Sequence, residues 1–223
     1  MSALCLNAQT YNPQTNFIEN KNPSGVWSFG YGTVGGDFTA SAKMNKRESA
    51  SIWASNEDWK AVYYNPNNGK DITLSGGLVL KPGMLMMHPG NKADHLSKVR
   101  FTAPADGEYE VNVKWTNIDQ QAKKTFQWVY TNAASVSGKR YDFTPPGFKE
   151  IYGKPLSGAN QSNSFVKTIS MKKGEIISFE IGNGGDGYFD DAQAMELSIK
   201  ANTSVTLYKG ANFSGQSLQI NKD

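Results

Sequence analysis

The chain has 223 residues, of which 38% are hydrophobic, 12% aromatic and 19% charged, with a net charge of +3. That length supports one large domain or two small ones, burying roughly 70% of the unfolded surface. Disorder is excluded by 11 Phe, 10 Tyr and 5 Trp, and 22 Gly and 9 Pro in an Asn-rich chain argue for many turns and against a helical bundle.

In chain order, short strands are predicted over 25–31, 37–42, 59–64, 78–80, 84–87 and 99–102. The turn Ala105-Asp106-Gly107 then introduces Tyr109-Glu110-Val111-Asn112-Val113-Lys114-Trp115, in which every odd position is apolar. This alternation marks a strand with one wet face. Phe126, Trp128 and Tyr130 repeat it. The stretch 135–164, rich in Gly, Ser, Asn and Pro, is weakly patterned and is expected to be a long loop, a length that is usually functional or mobile. Alternation returns at Phe165, Ile169 and Met171, at Ile177, Phe179 and Ile181, and at Met195, Leu197 and Ile199. Ten or more such strands without helices imply an all-β fold, two antiparallel sheets packed face to face as a jelly-roll sandwich. The sandwich is assigned to residues 1–200, and 201–223 form a tail.

Basic residues are spread out. Lys43, Lys46 and Arg47, and Lys123 with Lys124, are the densest groups, too short for a nucleic-acid stripe. The lone Cys5 rules out a disulfide framework and a thiolate metal cage. No apolar run approaches the ~18 residues of a membrane span. The first residues lack the basic region and apolar stretch of a signal peptide, so a soluble protein is expected and a cytosolic one is not excluded.

His88 and His95 are the only histidines. The first reads as a strand end before Pro89-Gly90 and the second as a loop residue, so no hydrolase triad is supported. Glycoside hydrolysis needs only two carboxylates, which Asp186, Asp190 and Asp191 can supply. The segment Asn183-Gly184-Gly185-Asp186-Gly187-Tyr188-Phe189-Asp190-Asp191 packs oxygen donors between turn glycines. It is read either as a calcium loop with Asp186, Asp190 and Asp191 as ligands, or as a plain turn. Sugar binding requires aromatic faces away from the core. Trp27, Phe29, Tyr31, Trp115 and Trp128 are expected in the core. The candidate platforms are Trp59, Tyr64, Tyr141, Tyr152 and Tyr188, with Asn65 and Asn67 placed to bond hydroxyls.

Two resemblances add to this reading. Residues 22–31 (Asn-Pro-Ser-Gly-Val-Trp-Ser-Phe-Gly-Tyr), Met87-His88-Pro89-Gly90, the segment 99–109, Lys172-Lys173-Gly174-Glu175 and the 183–191 loop resemble, in that order, jelly-roll domains of secreted proteins that look like carbohydrate-binding modules. The resemblance implies a non-catalytic, extracellular module with a glycan or polysaccharide partner. A structural or adhesive protein and a glycan-active enzyme are the competing readings. The segment 205–217 resembles the opening strands of a βγ-crystallin Greek-key motif, with Tyr208 and Gly215 at the spacing of its aromatic and glycine. The tail is expected to be the start of such a motif or a closing hairpin of the sandwich.

Overall fold

The computed structural model describes residues 9–17, 21–35, 37–42, 44–54, 60–66, 69–74, 76–92, 94–142, 144–202, 204–208 and 217–221. The first half of the chain forms β1 (Thr10–Tyr11), β2 (Trp27–Gly32), β3 (Thr39–Ala40), β4 (Met44–Arg47), β5 (Ala50–Ala54), β6 (Ala61–Tyr64), β7 (Ile72–Thr73), β8 (Val79–Leu80) and β9 (Leu85–His88). Longer strands follow. They are β10 (Leu96–Thr102), β11 (Gly107–Asn117), β12 (Thr125–Thr131), β13 (Lys149–Leu156), β14 (Ser162–Met171), β15 (Ile176–Gly182) and β16 (Gln193–Asn202). The tail forms β17 (Ser204–Tyr208) and β18 (Ser217–Asn221).

The first sheet runs β14-β11-β16-β9-β6-β5-β4, with β1 also pairing β16; the second runs β13-β12-β15-β10-β2-β3. All these pairings are antiparallel. The expected all-β sandwich is what the chain forms, and the alternating residues build its core. Trp27, Phe29, Val99, Phe101, Val111, Val113, Trp115, Val129, Phe179 and Ile199 are all fully buried between the sheets. Each aromatic among them removes roughly 150–250 Å² from water.

A smaller core lies on the other side of the first sheet. Ala50, Ile52, Ala61, Tyr63 and Met86 point outward there and are covered by Ile72, Leu74 and Leu80 of the β7–β8 hairpin. Strands β5, β6 and β9 are therefore buried on both faces, which removes the alternation from their sequences.

Three expectations are corrected. The stretch 135–164 is not one loop, because β13 runs through it and pairs with β12 along seven positions. Trp128 is not core. It lies half-buried on the outer face of the second sheet, because Val129 beside it points inward. The segment 37–42 contributes only the two residues of β3. In the tail, β17 and β18 pair with each other and, among the described residues, with neither large sheet. Gly215 lies outside the described residues, as do Trp59, Asn67 and Cys5.

A candidate binding cleft beside the glycine-rich loop

Two loops meet at one end of the sandwich. Asn117 ends β11, Thr125 begins β12 and Gln193 begins β16, and their side chains bond together inside the sandwich. Gln193 Nε2 donates to Asn117 Oδ1 at 2.8 Å, and Gln127 Nε2 donates to Thr125 Oγ1 at 3.1 Å. A buried polar network of this kind fixes one arrangement, since an unmet member carries the full desolvation cost. It anchors the ends of both the 118–124 and the 183–192 loops.

Beyond the network the two loops are zipped together. Ile118 N donates to Ala192 O at 3.1 Å, Ala192 N to Asp119 Oδ2 at 2.6 Å, and Lys124 N to Asp186 Oδ2 at 3.2 Å. Gly184 sits at φ +64°, and a Cβ there would run into the Lys124 carbonyl, so no other residue permits this approach. Of the glycines that made this segment look like a metal loop, Gly184 presses it against its neighbour, while Gly185 and Gly187 supply the positive φ of the turn.

The paired loops form one wall of a cleft of about 340 Å³. Its floor is the outer face of the first sheet, with Tyr63, Met86 and His88; the opposite wall is Leu74, Gly76 and Leu78 of the hairpin. Tyr188, Phe189, Asp190 and Asp119 close it. The rings of Tyr188 and Phe189 stack at 4.3 Å and 30°, and Phe189 is 61% exposed. The His88 ring meets Tyr188 edge-on at 6.5 Å. Its Nδ1 lies 2.7 Å from the Pro89 carbonyl, so Nδ1 carries the proton and donates. The cleft thus combines aromatic faces, carboxylate acceptors and an imidazole.

Behind it, Asp191 is 0% exposed and both its carboxylate oxygens are buried without a hydrogen-bond partner. Burial, then the nearby charges of Asp186 and Asp119, push its carboxyl up to about 8. Burial also raises Asp119, against the opposing hydrogen bond from Ala192. Asp186 is exposed, and Asp190 adopts a left-handed φ of 65°. Among the described residues, no group of three His, Cys, Asp or Glu side chains is spaced as a preformed metal cage.

Of the residues expected to bind, Tyr188 and Asp190 come together in the cleft. Tyr64, Tyr152, Asn65 and Tyr141 do not line it. Tyr64 packs into the main core with its ring 5.0 Å from that of Phe17. Tyr152 stacks on Trp115 at 5.6 Å and 13°, with its hydroxyl buried. Asn65 is fully buried, its Nδ2 donating to the Lys70 and Leu80 carbonyls at 3.0 and 2.8 Å. It therefore braces the hairpin wall and has no face for a ligand. Tyr141 is half-buried on the second sheet's side, its hydroxyl donating to Glu150 at 3.2 Å. Sequence reasoning missed Phe189, Asp119 and His88. Phe189 carried a signal, an aromatic doublet after a glycine turn, whereas Asp119 is some 70 residues from its neighbours in the chain.

No family model matches the sequence. The chain is 25% identical over 111 residues to the 3-phytase of Bacillus subtilis (strain 168), which covers 47% of this chain and 28% of that protein. Among solved structures it is similar to the CBM51 of Clostridium perfringens GH95 in complex with methyl-galactose, at TM-score 0.37 and 10% identity over 86% of this chain and 99% of the other. It is also similar to the CBM22-1–GH10 modules of Clostridium thermocellum endo-1,4-β-D-xylanase 10B complexed with xylohexaose. That TM-score is 0.38, at 12% identity over 82% of this chain and 30% of the other. The fold itself, two large antiparallel sheets packed face to face, is an all-β sandwich. Among the described residues, no helix is long and apolar enough to cross a membrane.

Proposed function

We propose that the protein is a non-catalytic carbohydrate-binding module that works outside the cell and takes a glycan in the cleft beside the 183–191 loop. The observation that carries this reading is the stacked Tyr188–Phe189 pair at the mouth of a cleft lined by Asp119, Asp190 and His88. Aromatic faces suit the apolar side of a pyranose ring, and a few convergent polar groups fix its hydroxyls. A non-catalytic role is supported by the position of Asp191. Its carboxyl is held toward the protonated form that a general acid needs, yet it is sealed from solvent and cannot reach a glycosidic bond. Val166 on the edge strand β14 and Phe189 are the exposed large hydrophobics among the described residues, which favours a groove over a flat adhesive patch.

Calcium belongs to the same proposal. The orphaned Asp191 carboxylate is the anchoring ligand, with Asp186 and Asp190 beside it and loop carbonyls completing the oxygen set. Binding must draw these side chains closer than they stand. Two titrations test the reading. Calorimetry with calcium is expected to give heat and a raised melting temperature, both lost in Asp191→Asn. Electrophoresis through gels containing soluble polysaccharide is expected to show retardation, weakened about tenfold by Tyr188→Ala with Phe189→Ala. Heat without retardation leaves the ion and removes the glycan; retardation without heat does the reverse.

A further inference from the structure

The other sheet carries an aromatic surface that the cleft does not use. In β12, Val129 faces the core, while Phe126, Trp128 and Tyr130 lie on the opposite face, where Tyr130 is fully buried and Phe126 and Trp128 are partly exposed. The Phe126 and Trp128 rings stack at 4.5 Å and 24°, and both side chains are half-buried. On β15 the indole's direct partner is the buried Glu180, but a glycine on each neighbouring strand leaves room for its edges. Trp128 is opposite Gly153 of β13, and Phe126 is opposite Gly182 of β15. A Cβ on Gly153 would stand 3.1 Å from Trp128 Cδ1, and one on Gly182 would stand 3.1 Å from Cζ3. The indole therefore spans a strip cleared on both flanks, pyrrole edge toward β13 and benzene edge toward β15. Any larger residue at either position would have to displace it.

A bulge places an acceptor beside the ring. Between Val129 and Tyr130 the pairing jumps from Tyr152 to Glu150, leaving Ile151 as the extra residue. Bulges re-aim side chains, and this one turns Tyr152 inward and Glu150 outward. Glu150 Oε2 accepts hydrogen bonds from the hydroxyls of Tyr130 and Tyr141, both at 3.2 Å. Its Oε1 lies 2.9 Å from the point a Gly153 Cβ would occupy, next to the same edge of Trp128. Two phenols thus hold a carboxylate at the rim of an aromatic surface.

We propose that Trp128, braced by Phe126, is the stacking surface of a second saccharide site, in which Glu150 Oε1 accepts a hydrogen bond from a sugar hydroxyl. The ligand class is a neutral pyranose-containing glycan, since the fixed carboxylate opposes an acidic sugar. The ligand class rests on the carbohydrate reading; the site itself is independent of the cleft. It makes the module bivalent, with one site on the outer side of each sheet, so that a long polysaccharide or two neighbouring chains can be held at once.

The test is affinity electrophoresis of the full chain in gels containing barley β-glucan, xyloglucan or galactomannan. The proteins are the parent, Trp128→Ala, Glu150→Gln and the cleft variant Tyr188→Ala with Phe189→Ala. Trp128→Ala is expected to weaken retardation at least about tenfold, the loss typical of an aromatic anchor. Glu150→Gln keeps shape and is expected to weaken it severalfold at an unchanged melting temperature. The cleft variant is expected to retain part of its retardation. Loss in either folded variant supports the second site, and Glu150→Gln decides if Trp128→Ala does not fold. Unchanged retardation in both, with complete loss in the cleft variant, overturns the second site and leaves the cleft reading standing. A parent that no gel retards overturns both.

Discussion

Lys98 and Glu180 pair at 3.1 Å across β10 and β15 with both side chains 0% exposed. Lys98 Nζ also donates to the carbonyls of Thr33 and Asp37, at 2.5 and 2.7 Å. Glu180 accepts from Ser178 Oγ at 2.8 Å and from Gly35 N at 3.4 Å. The pair thus fastens the turn after β2 onto the outer face of the second sheet. Burial lowers Lys98 and raises Glu180, and their mutual attraction opposes both shifts. Lys98→Met strips the buried Glu180 of its ion-pair partner and is expected to cost about 3–5 kcal/mol, and Glu180→Leu, which leaves Lys98 the longer 3.5 Å contact with Asp37, is expected to cost less. The double substitution is expected to recover most of that loss. Urea unfolding of the four proteins measures the cycle, and a single variant as stable as the parent contradicts it.

Asp191 makes stability fall with rising pH. Its folded carboxyl is pushed up to about 8, well above that of an unfolded aspartate, so the folded chain binds the proton more tightly. The resulting stabilisation is complete near pH 4 and is lost as pH rises toward and through about 8. Melting curves in a chelator between pH 5 and 8.5 are expected to show this decline in the parent and a flatter profile in Asp191→Asn. Calcium, which binds the ionised form, is expected to stabilise more at pH 8 than at pH 5.

Asn65 holds the hairpin that walls the cleft. Asn65→Ala leaves the Lys70 and Leu80 carbonyls without their donor, and about 1–3 kcal/mol is the cost of each buried group so stranded. Hydrogen exchange is expected to rise across 70–84 in this variant while the β10–β15 pairing stays protected. Uniform exchange across both regions would contradict a local role.

The architecture was legible where one sheet face is core and the other wet. Strands β11, β14 and β16 show it, and their buried apolar residues are those the pattern chose; β15 keeps the alternation in sequence although Ser178 and Glu180 on its outer face are buried too. It was illegible where both faces are covered. Ala50-Ser51-Ile52-Trp53 of β5 is buried at every position, so no alternation survives. In β13 the bulge at Ile151 breaks the period, and Lys149–Leu156 was lost inside an expected loop. Trp128 shows a further limit, because alternation finds the two faces of a strand but not which one is the core. Its inward neighbours Gln127 and Val129 look less apolar than Phe126, Trp128 and Tyr130, and the pattern inverts the strand. Of the candidate cleft, the loop at 183–191 was legible from its own composition. Its partners Asp119 and His88 were not, because only the folded sheet brings them alongside.

Carbohydrate binding in the cleft beside Tyr188 and Phe189 is the property on which the proposed function stands. Its most direct test is a glycan array spanning plant, microbial and animal saccharides, probed with the parent and with Tyr188→Ala, Phe189→Ala in the presence of calcium. The parent is expected to bind a set of related neutral glycans, with signals reduced about tenfold or more in the variant. No signal from the parent on any glycan, with the protein folded, would contradict it.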